Sequence, residues 1–301
     1  MIAVVGGYGV GLTMTVPRFP QAGETVAGGV ISRGHGGKGS NQAVGIRRLG
    51  VESALFTAIG ADAAGDDAVA FWADEGVEAS AVVRLDSPTM TGFILVDPTG
   101  ENRIVIADGA LGVVAADEVD GFAATIAGAG RLVISLEVPV ALARRAAGLA
   151  RAAGVPVLLN PAPMVAEADR DLIALADVIT PNRGELALLA GAPGASIEEC
   201  LSRVFGWYRG TAVVTCGGAG AVVCDGAAQV LVPAVEARQV IDTTGAGDSF
   251  TAALAVALTE GADPVEAARF AAAAAALSVG VAEVIPSLPR RADVDRMLAR
   301  A

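Results

Sequence analysis

The sequence has few of the residues on which several classes of enzyme depend. Its 301 residues include a single histidine, His35, and three cysteines, Cys200, Cys216 and Cys224, which lack the spacing of metal ligands. A histidine-rich metal site and a Ser–His–Asp triad that uses a second histidine are therefore excluded. We expect the cysteines to be reduced and to fill strands or helices.

Positive charge and long apolar runs are also scarce. Lys and Arg number 21 against 33 Asp and Glu, for a net charge of −12, and no basic run occurs. Binding to a phosphate backbone needs clustered Lys and Arg, so we expect no nucleic-acid partner. The most apolar segment, Phe270 to Val279, is too short to span a bilayer. Met1 leads into an apolar strand without a basic leader, so we expect a cytoplasmic protein with no membrane partner.

The chain is rich in apolar residues, which occur in alternating strand-like and helix-like segments. Hydrophobic residues make up 53% of it, which is enough for one large core. Strand and helix patterns alternate from residue 53 onward, and this predicts a mostly parallel sheet with helices on both faces. The predicted strands are 53–59, 132–136, 155–159, 177–180 and 212–215, and the predicted helices are 64–75, 139–152, 169–176, 183–190, 196–208 and 250–258.

Two segments depart from this alternation and predict a small β-sheet lid. The glycines between Gly6 and Gly11 resemble a dinucleotide-binding loop, but an alternating strand and Pro17 follow instead of the required helix. We expect one α/β domain over residues 1–301, with lid strands inserted roughly at 11–33 and 88–107. The strands predicted there are 12–16, a second one from 23–26 and 30–31, and a hairpin of 91–96 with 103–106.

A second glycine-rich loop, residues 34–43, runs into a predicted helix that Gly50 ends. The spacing of its glycines and lysine is not that of a Walker loop. Bare backbone lets a ligand approach closely, and Lys38 and Asn41 offer polar groups to hydroxyls or phosphate. A flexible loop before a helix explains the stretch equally well when it is taken alone.

The segment 241–250 carries the clearest indication of chemistry. Gly245, Ala246 and Gly247 leave backbone N–H groups uncovered at the start of a predicted buried helix, and such donors form an anion site. Asp248 follows in the first turn, where a carboxylate repels a bound anion. The acid fits if it takes a proton from a hydroxyl while the amides hold charge on a transferring phosphoryl group. The alternative is an ordinary helix start with an acid in its first turn.

Polar groups follow several predicted strands at their carboxyl ends, where ligands of parallel sheets bind. Asn182 and Glu185 lie three residues apart at the head of a helix and so share a face. An amide and a carboxylate there suit Mg²⁺ held through water. The polar positions at these strand ends are Glu137, Asn160, Thr180, Asn182, Glu185, Thr215, Gly217 and Gly220.

These motifs resemble those of the ribokinase-like sugar kinases, also called the PfkB carbohydrate kinases, over nearly the whole chain. Residues 36–43 resemble the first signature of the family, residues 242–248 resemble the highly specific second signature, and residues 182–185 fit its Asn-x-x-Glu motif. The resemblance implies a ribokinase-like α/β fold with a small β-sheet lid. It also implies ATP and Mg²⁺ as cofactors and a homodimer formed through the lid.

The resemblance implies a role for each matching residue. Asp248 would be the catalytic base, and the amides of Gly245, Ala246 and Gly247 would be the anion hole. The remaining implied contacts are Gly37, Lys38, Asn41 and Glu137 around the sugar, Asn182, Thr215, Gly217, Gly220 and Gly247 around ATP, and Glu185 near Mg²⁺ through water.

Two positions depart from the family pattern. Ribokinases carry an Asn and an Asp after the first strand, where this chain has Gly9 and Gly11, so two side-chain hydrogen bonds are lost and we expect a larger site. The monovalent-cation site of the family uses the Asp242 region and a loop in which Glu283 here replaces a glycine, which calls K⁺ activation into question. Candidates for replacement substrate contacts are Tyr8, His35, for which simple exposure is the alternative, and Arg103, for which a lid salt bridge is the alternative.

We therefore expect an ATP-dependent phosphotransferase that acts on a primary hydroxyl of a sugar or sugar-like small molecule. A nucleoside kinase of the same family is one alternative, because Gly9 and Gly11 would enlarge the site. A sugar-binding regulator without turnover is an alternative from another class. The intact Asp248 and the 245–247 segment argue against that regulator.

Overall fold

The computed structural model describes residues 1–164 and 169–300. The strands among these residues are β1 (Ile2–Val5), β2 (Gly9–Thr15), β3 (Val30–Gly36), β4 (Ser53–Phe56), β5 (Ala58–Gly60), β6 (Val83–Leu85), β7 (Thr91–Val96), β8 (Asn102–Ala107), β9 (Arg131–Ser135), β10 (Val157–Asn160), β11 (Val178–Ile179), β12 (Thr211–Thr215), β13 (Ala221–Cys224) and β14 (Gln229–Val232).

The helices listed here lie within the same two described ranges. They are α1 (Lys38–Arg48), α2 (Ala63–Glu75), α3 (Gly109–Val113), α4 (Ala123–Ala127), α5 (Val140–Ala152), α6 (Arg170–Ile173), α7 (Arg183–Leu189), α8 (Ile197–Val204), α9 (Ala246–Thr259), α10 (Pro264–Ser278), α11 (Val284–Ser287) and α12 (Arg291–Leu298), with 3-10 helices at Ala116–Phe122 and Gly217–Ala219.

The strands of the large sheet are continuous apolar runs because both of its faces are covered. It has eight strands in the order β14-β13-β12-β11-β10-β9-β1-β4, parallel except for the antiparallel edge strands β13 and β14. In β1, Ala3 and Val5 pack into the core on the side of α5, while Ile2 and Val4 pack into the core on the side of α1, α9 and α10. Both faces are buried, so no polar alternation survives. The predicted α/β fold is confirmed.

A second sheet of four strands stands apart, in the order β3-β2-β7-β8. Its two hairpin pairings are antiparallel, and β2 and β7, which join them, run parallel. Every residue of β8 is exposed. The small separate sheet was therefore correctly predicted, but residues 23–26 form no strand, and Gly34 and Gly36 belong to β3 rather than to a loop.

Several boundaries differ from the sequence-based ones. The predicted strand 53–59 is divided into β4 and β5, because β5 leaves the large sheet to pair with β6. The helix predicted at 196–208 ends at Val204, and the one at 169–176 is the single turn α6. The antiparallel edge β13 and β14 was not predicted. Cys200 and Cys224 are buried and unbridged, and Cys216 is half-buried and unbridged.

The helices of the described ranges are all too short or too polar to cross a membrane.

Candidate active site

Helix α9 begins with a glycine that its backbone requires. Gly245 has φ +83°, in the left-handed region, and a Cβ there would lie 2.7 Å from Val284 Cγ1. No side chain of the described residues caps this end of α9, and the first N–H groups of a helix have no intrahelical acceptor. Among the described residues the amide of Gly247 has no acceptor, whereas that of Ala246 donates to the Thr243 carbonyl at a long 3.3 Å, so Gly247 is the donor most available to a ligand. Asp248 sits directly behind these amides in the first turn, with 5% of its surface exposed.

Two amide side chains from α1 hold the carboxylate of Asp248. Asn41 Nδ2 donates to Asp248 Oδ2 at 2.7 Å, and Gln42 Nε2 donates to Asp248 Oδ1 at 3.1 Å. Each oxygen thus has one fixed donor and keeps a lone pair free. The packing of α1 against α9 brings the two glycine-rich signatures together at this carboxylate.

Lys38 and Glu137 lie beside this group. The backbone N–H of Lys38 donates to Glu137 Oε2 at 2.6 Å. The negative charge of Asp248 raises the pKa of Lys38 above its ordinary value, against the opposing effect of burial. Burial raises the pKa of Glu137 to about 7, with the charge of Lys38 opposing the rise. Lys38 is the only lysine in the chain, so the one ammonium group of the protein's side chains is at this site.

A cavity of about 820 Å³ opens next to the start of α9. All five residues expected around ATP line it, namely Asn182, Thr215, Gly217, Gly220 and Gly247. Most of the remaining wall is apolar, as in small-molecule pockets generally, and it comes from Val235, Ala237, Val240, Phe250, Ala272, Ala275, Ala276 and Val279. The alanine-rich run after Phe270 is therefore partly a cavity wall.

Asn182 and Glu185 form a capping box at the start of α7. The side chain of Asn182 accepts from the N–H of Glu185 at 2.9 Å, and Glu185 Oε2 accepts from the N–H of Asn182 at 2.8 Å. Burial raises the pKa of Glu185 above its ordinary value, while the Asn182 hydrogen bond and Lys38 lower it. The structural role of the pair is thus present, and Glu185 Oε1 is not used by the cap.

Asp242 joins two loops near the start of α9. Its Oδ1 accepts from the N–H of Thr244 at 2.8 Å, and its Oδ2 accepts from the N–H of Glu283 at 3.0 Å. Glu283 has φ +66°, a conformation that favours glycine and costs about 1 kcal/mol or more for another residue. The backbone at this position therefore keeps a glycine-like shape although the residue is glutamate.

The sequence of the chain also matches that of a known protein family. The profile of the pfkB family carbohydrate kinases matches residues 1–291. The chain belongs to that family. It is 35% identical to a ribokinase of Haemophilus influenzae, covering 100% of this chain and 99% of the other. The resemblance predicted from the sequence motifs is confirmed.

Solved structures agree with this assignment to the pfkB family. The structure of Arabidopsis thaliana ribokinase complexed with ribose and ATP superposes with a TM-score of 0.90 at 31% identity, covering 99% of this chain and 98% of that one. The ribokinase of Giardia lamblia superposes with a TM-score of 0.92 at 27% identity, covering 99% of this chain and 98% of that one. The ribokinase-like fold is therefore confirmed.

Against the family pattern, His35 and Arg103 lie on the wrong face of the small sheet to replace the contacts missing at Gly9 and Gly11. Gly9 and Gly11 pair with Gly36 and Gly34, whereas His35 pairs with Val10 on the other face. Arg103 pairs with Leu95, whose other neighbour is Met14, so it also lies on that other face. Neither side chain therefore lies on the face of the sheet where a side chain at Gly9 or Gly11 would lie.

These candidates instead make contacts of their own. Tyr8 is fully buried, and its hydroxyl lies 2.9 Å from Nδ1 of His35. The His35 ring is half-buried and stacks on Phe71 with centroids 4.1 Å apart, so simple exposure does not describe it. Arg103 is exposed and lies over the Phe19 ring at 4.1 Å, and within the described part of the chain it forms no salt bridge. Tyr8 is thus also unavailable as a replacement contact.

Two residues near the site went unnoticed in the sequence. Gln42 follows Asn41 and donates to Asp248, and Met90 lies beside Gly9. Gln42 stands inside the first signature, next to a residue already singled out, so its position on α1 was a usable signal. Met90 precedes the β7 hairpin strand, and nothing in its local sequence points to the site.

Proposed function

We propose that the protein is an ATP-dependent phosphotransferase that phosphorylates a primary hydroxyl of a sugar or sugar-like molecule. The observation that carries the proposal is the Asp248 carboxylate, held by Asn41 and Gln42 at 2.7 and 3.1 Å directly behind an uncapped helix start. A base and an anion site in adjacent residues suit transfer of a phosphoryl group to a hydroxyl. Membership of a carbohydrate kinase family supports the choice of a sugar hydroxyl.

In the proposed reaction the substrate oxygen attacks the γ-phosphorus of ATP in line. The bond from that phosphorus to the β,γ-bridging oxygen breaks, and ADP leaves with the electron pair. Asp248 accepts the hydroxyl proton, while the N–H groups of residues 245–247 donate to the oxygens on which charge develops. Lys38 and Glu137, with Gly37 and Asn41, would hold the sugar so that the attacking oxygen lies next to Asp248.

The nucleotide would occupy the 820 Å³ cavity. Its apolar wall suits an adenine ring, and the glycines 217 and 220 allow backbone to approach phosphates closely. Of the described residues, no group of three or more His, Cys, Asp or Glu could hold a metal ion. That fits Mg²⁺, which keeps several waters and binds through one or two carboxylates plus phosphates. Glu185, with Oε1 outside the capping box, would hold it through water, and the bound ion would neutralise phosphate charge.

A monovalent cation is not part of the proposal. Both oxygens of Asp242 already accept backbone N–H groups, which is the role that the half-buried carboxylate has here. We infer that this carboxylate fixes the loop before α9, and one lone pair stays free on each of its oxygens. Glu283, in the later loop, has a strained backbone conformation and donates one of these two N–H groups.

A cytoplasmic homodimer formed through the small sheet is also proposed. Exposed apolar residues on both faces of this sheet, three on each by the strand register, support an interface, since exposed apolar surface on a soluble chain marks contact sites. Those exposed by more than half are Val30 72%, Ile31 60%, Phe93 52%, Ile104 54%, Val105 71% and Ile106 53%.

The test is ADP release measured with a panel of pentoses, hexoses, deoxy sugars and nucleosides. We expect at least one sugar to raise ADP release far above the rate with ATP alone, with stoichiometric formation of the sugar phosphate. A nucleoside as the preferred acceptor would favour the nucleoside kinase alternative. Sugar binding without ADP release from any acceptor would favour the regulator and contradict the proposal.

A further inference from the structure

Gln42 is a fully buried amide placed between two acceptors. It lies on α1 with 0% of its surface exposed. Its Nε2 donates to Asp248 Oδ1 at 3.1 Å and to Asn160 Oδ1 at 3.3 Å. An amide nitrogen has two hydrogens, so both are used.

A backbone carbonyl fixes the direction of this chain of hydrogen bonds. The carbonyl oxygen of Thr180 can only accept, and Asn160 Nδ2 donates to it at 2.9 Å. Asn160 Oδ1 is therefore turned toward Gln42, and only the Nε2 side of Gln42 can meet it. The second hydrogen of Nε2 is then directed at Asp248, so the end of β11 determines how the carboxylate is held.

One end of the Gln42 amide works against the stability of the fold. Gln42 Oε1 is buried and has no hydrogen-bond partner among the described residues, as is also true of Asn41 Oδ1. An unpaired buried acceptor is destabilising, so Oε1 of Gln42 carries a cost in the folded state against the two hydrogen bonds that Nε2 makes. Asn41 Oδ1 lies in the expected sugar contact and can gain a donor from a substrate hydroxyl. Gln42 contacts no expected ligand, yet it carries the same cost.

We infer that Gln42 is a positioning residue that holds the Asp248 carboxylate in its reactive orientation, linked through Asn160 to the strand end at Thr180. The inference rests on the proposed function, in which Asp248 takes the proton. Asn41 shares its contact with the substrate, so Gln42 supplies the contact that does not change when the sugar binds. A base misplaced by about 1 Å loses on the order of 100-fold in rate.

The test compares Gln42→Met, which keeps length but has no donor, with Ser53→Ala as control. Ser53 is equally buried and donates to the Ala43 carbonyl on the same helix, away from Asp248. We expect Gln42→Met to lower kcat by roughly 10–100-fold, the range for a lost hydrogen bond to a charged group. KM for ATP should change no more than in the control, and the melting temperature should fall in both variants, because each change removes a hydrogen bond to a buried acceptor. An unchanged kcat, or a loss explained by a lower fraction of folded protein, would overturn the inference.

A double variant separates this inference from the proposed function. If Gln42 acts through Asp248, adding Gln42→Met to Asp248→Asn should cost no further rate. If the second change slows Asp248→Asn by the same factor as it slows the wild type, Gln42 acts independently and the inference fails. A near wild-type rate for Asp248→Asn alone would instead overturn the proposed base. Gln42→Glu should move the acidic limb of the kcat profile to higher pH, because two adjacent buried carboxylates disfavour joint ionisation.

Discussion

Met90 occupies the space that a side chain at Gly9 would take. A Cβ at Gly9 would lie 2.5 Å from Met90 Cε and 2.9 Å from the Met90 carbonyl oxygen. The expectation that Gly9 enlarges the site is therefore wrong, because a thioether fills the volume. A polar side chain is still missing at this position, and the apolar side chain of Met90 fills the space where it would lie.

The apolar Met90 side chain, in place of a polar side chain at position 9, predicts that the enzyme uses D-ribose poorly. Each polar contact that a ligand fails to make costs on the order of 1–3 kcal/mol, so ribose should show a high KM and a low kcat/KM. Met90→Gln, which restores an amide with similar length, should lower KM for ribose, and Met14→Gln on the other face of the small sheet is the control. Steady-state kinetics decide the question. A micromolar KM with an ordinary kcat for wild type would show that the apolar wall does not set specificity.

The residues expected around ATP line one cavity, and for Asn182, Thr215 and Gly217 the sequence indicates why, because they stand at or just after the carboxyl ends of strands. Asn182 follows β11, and Thr215 ends β12, so their meeting at one cavity follows from parallel pairing. Met90 could not be found in that way. Its contact with Gly9 depends on how the small sheet meets the core, and no local pattern records that packing.

Glu185 should affect the dependence of the rate on Mg²⁺. Replacing Glu185 by Gln keeps an oxygen for the capping box but removes the charge that orients metal-bound water. The Mg²⁺ concentration for half-maximal rate should rise, with little change in melting temperature. Glu199→Gln, in the first turn of α8, is the matched control. If both variants titrate with Mg²⁺ as the wild type does, Glu185 is only a cap.

Glu137 should make sugar binding depend on pH. Burial raises its pKa to about 7, and a charged carboxylate accepts hydroxyl hydrogen bonds more strongly. Sugar KM should therefore fall as pH rises through about 7 and then level off. Glu137→Gln should remove that step. An identical pH dependence of KM in both proteins would contradict the assignment.

The stability of the ligand-free protein should show the opposite trend. The folded pKa of Glu137 lies above the unfolded value of 4.5, so its stabilising contribution is complete below about 4.5. That contribution is lost as pH rises through about 7. As pH rises from about 4.5 to about 7, the melting temperature of wild type should therefore fall relative to that of Glu137→Gln. This measurement checks the pKa of Glu137 without any substrate.

The small sheet should mediate the dimer. Phe93 and Val105 are paired across β7 and β8 on one face and are 52% and 71% exposed. Val105→Lys should give a monomer in sedimentation velocity, since a charge cannot be buried there without a partner. Leu231→Lys, equally apolar and exposed on the edge strand β14, should remain dimeric. A monomeric wild type at micromolar concentration would contradict the interface.

The network around Asp248 was only half predictable. The motif of residues 245–248 indicates an acid at a helix start, and the first signature indicates Asn41. The pairing of Gln42 with Asp248 joins residues 206 positions apart, and spacing within either motif carries no trace of it. It follows from the packing of α1 on α9, which brings a buried amide to each carboxylate oxygen.

The rate of Asp248→Asn with the preferred sugar tests the central claim most directly. The amide keeps the shape of the carboxylate but cannot take the hydroxyl proton, so kcat should fall by roughly 10²–10⁴-fold or more, while the fold and the affinity for ATP stay as in wild type. Single-turnover measurement of sugar phosphate formation, with ATP binding followed by calorimetry, gives both quantities. A variant that folds, binds ATP and phosphorylates the sugar at a near wild-type rate would show that Asp248 is not the base.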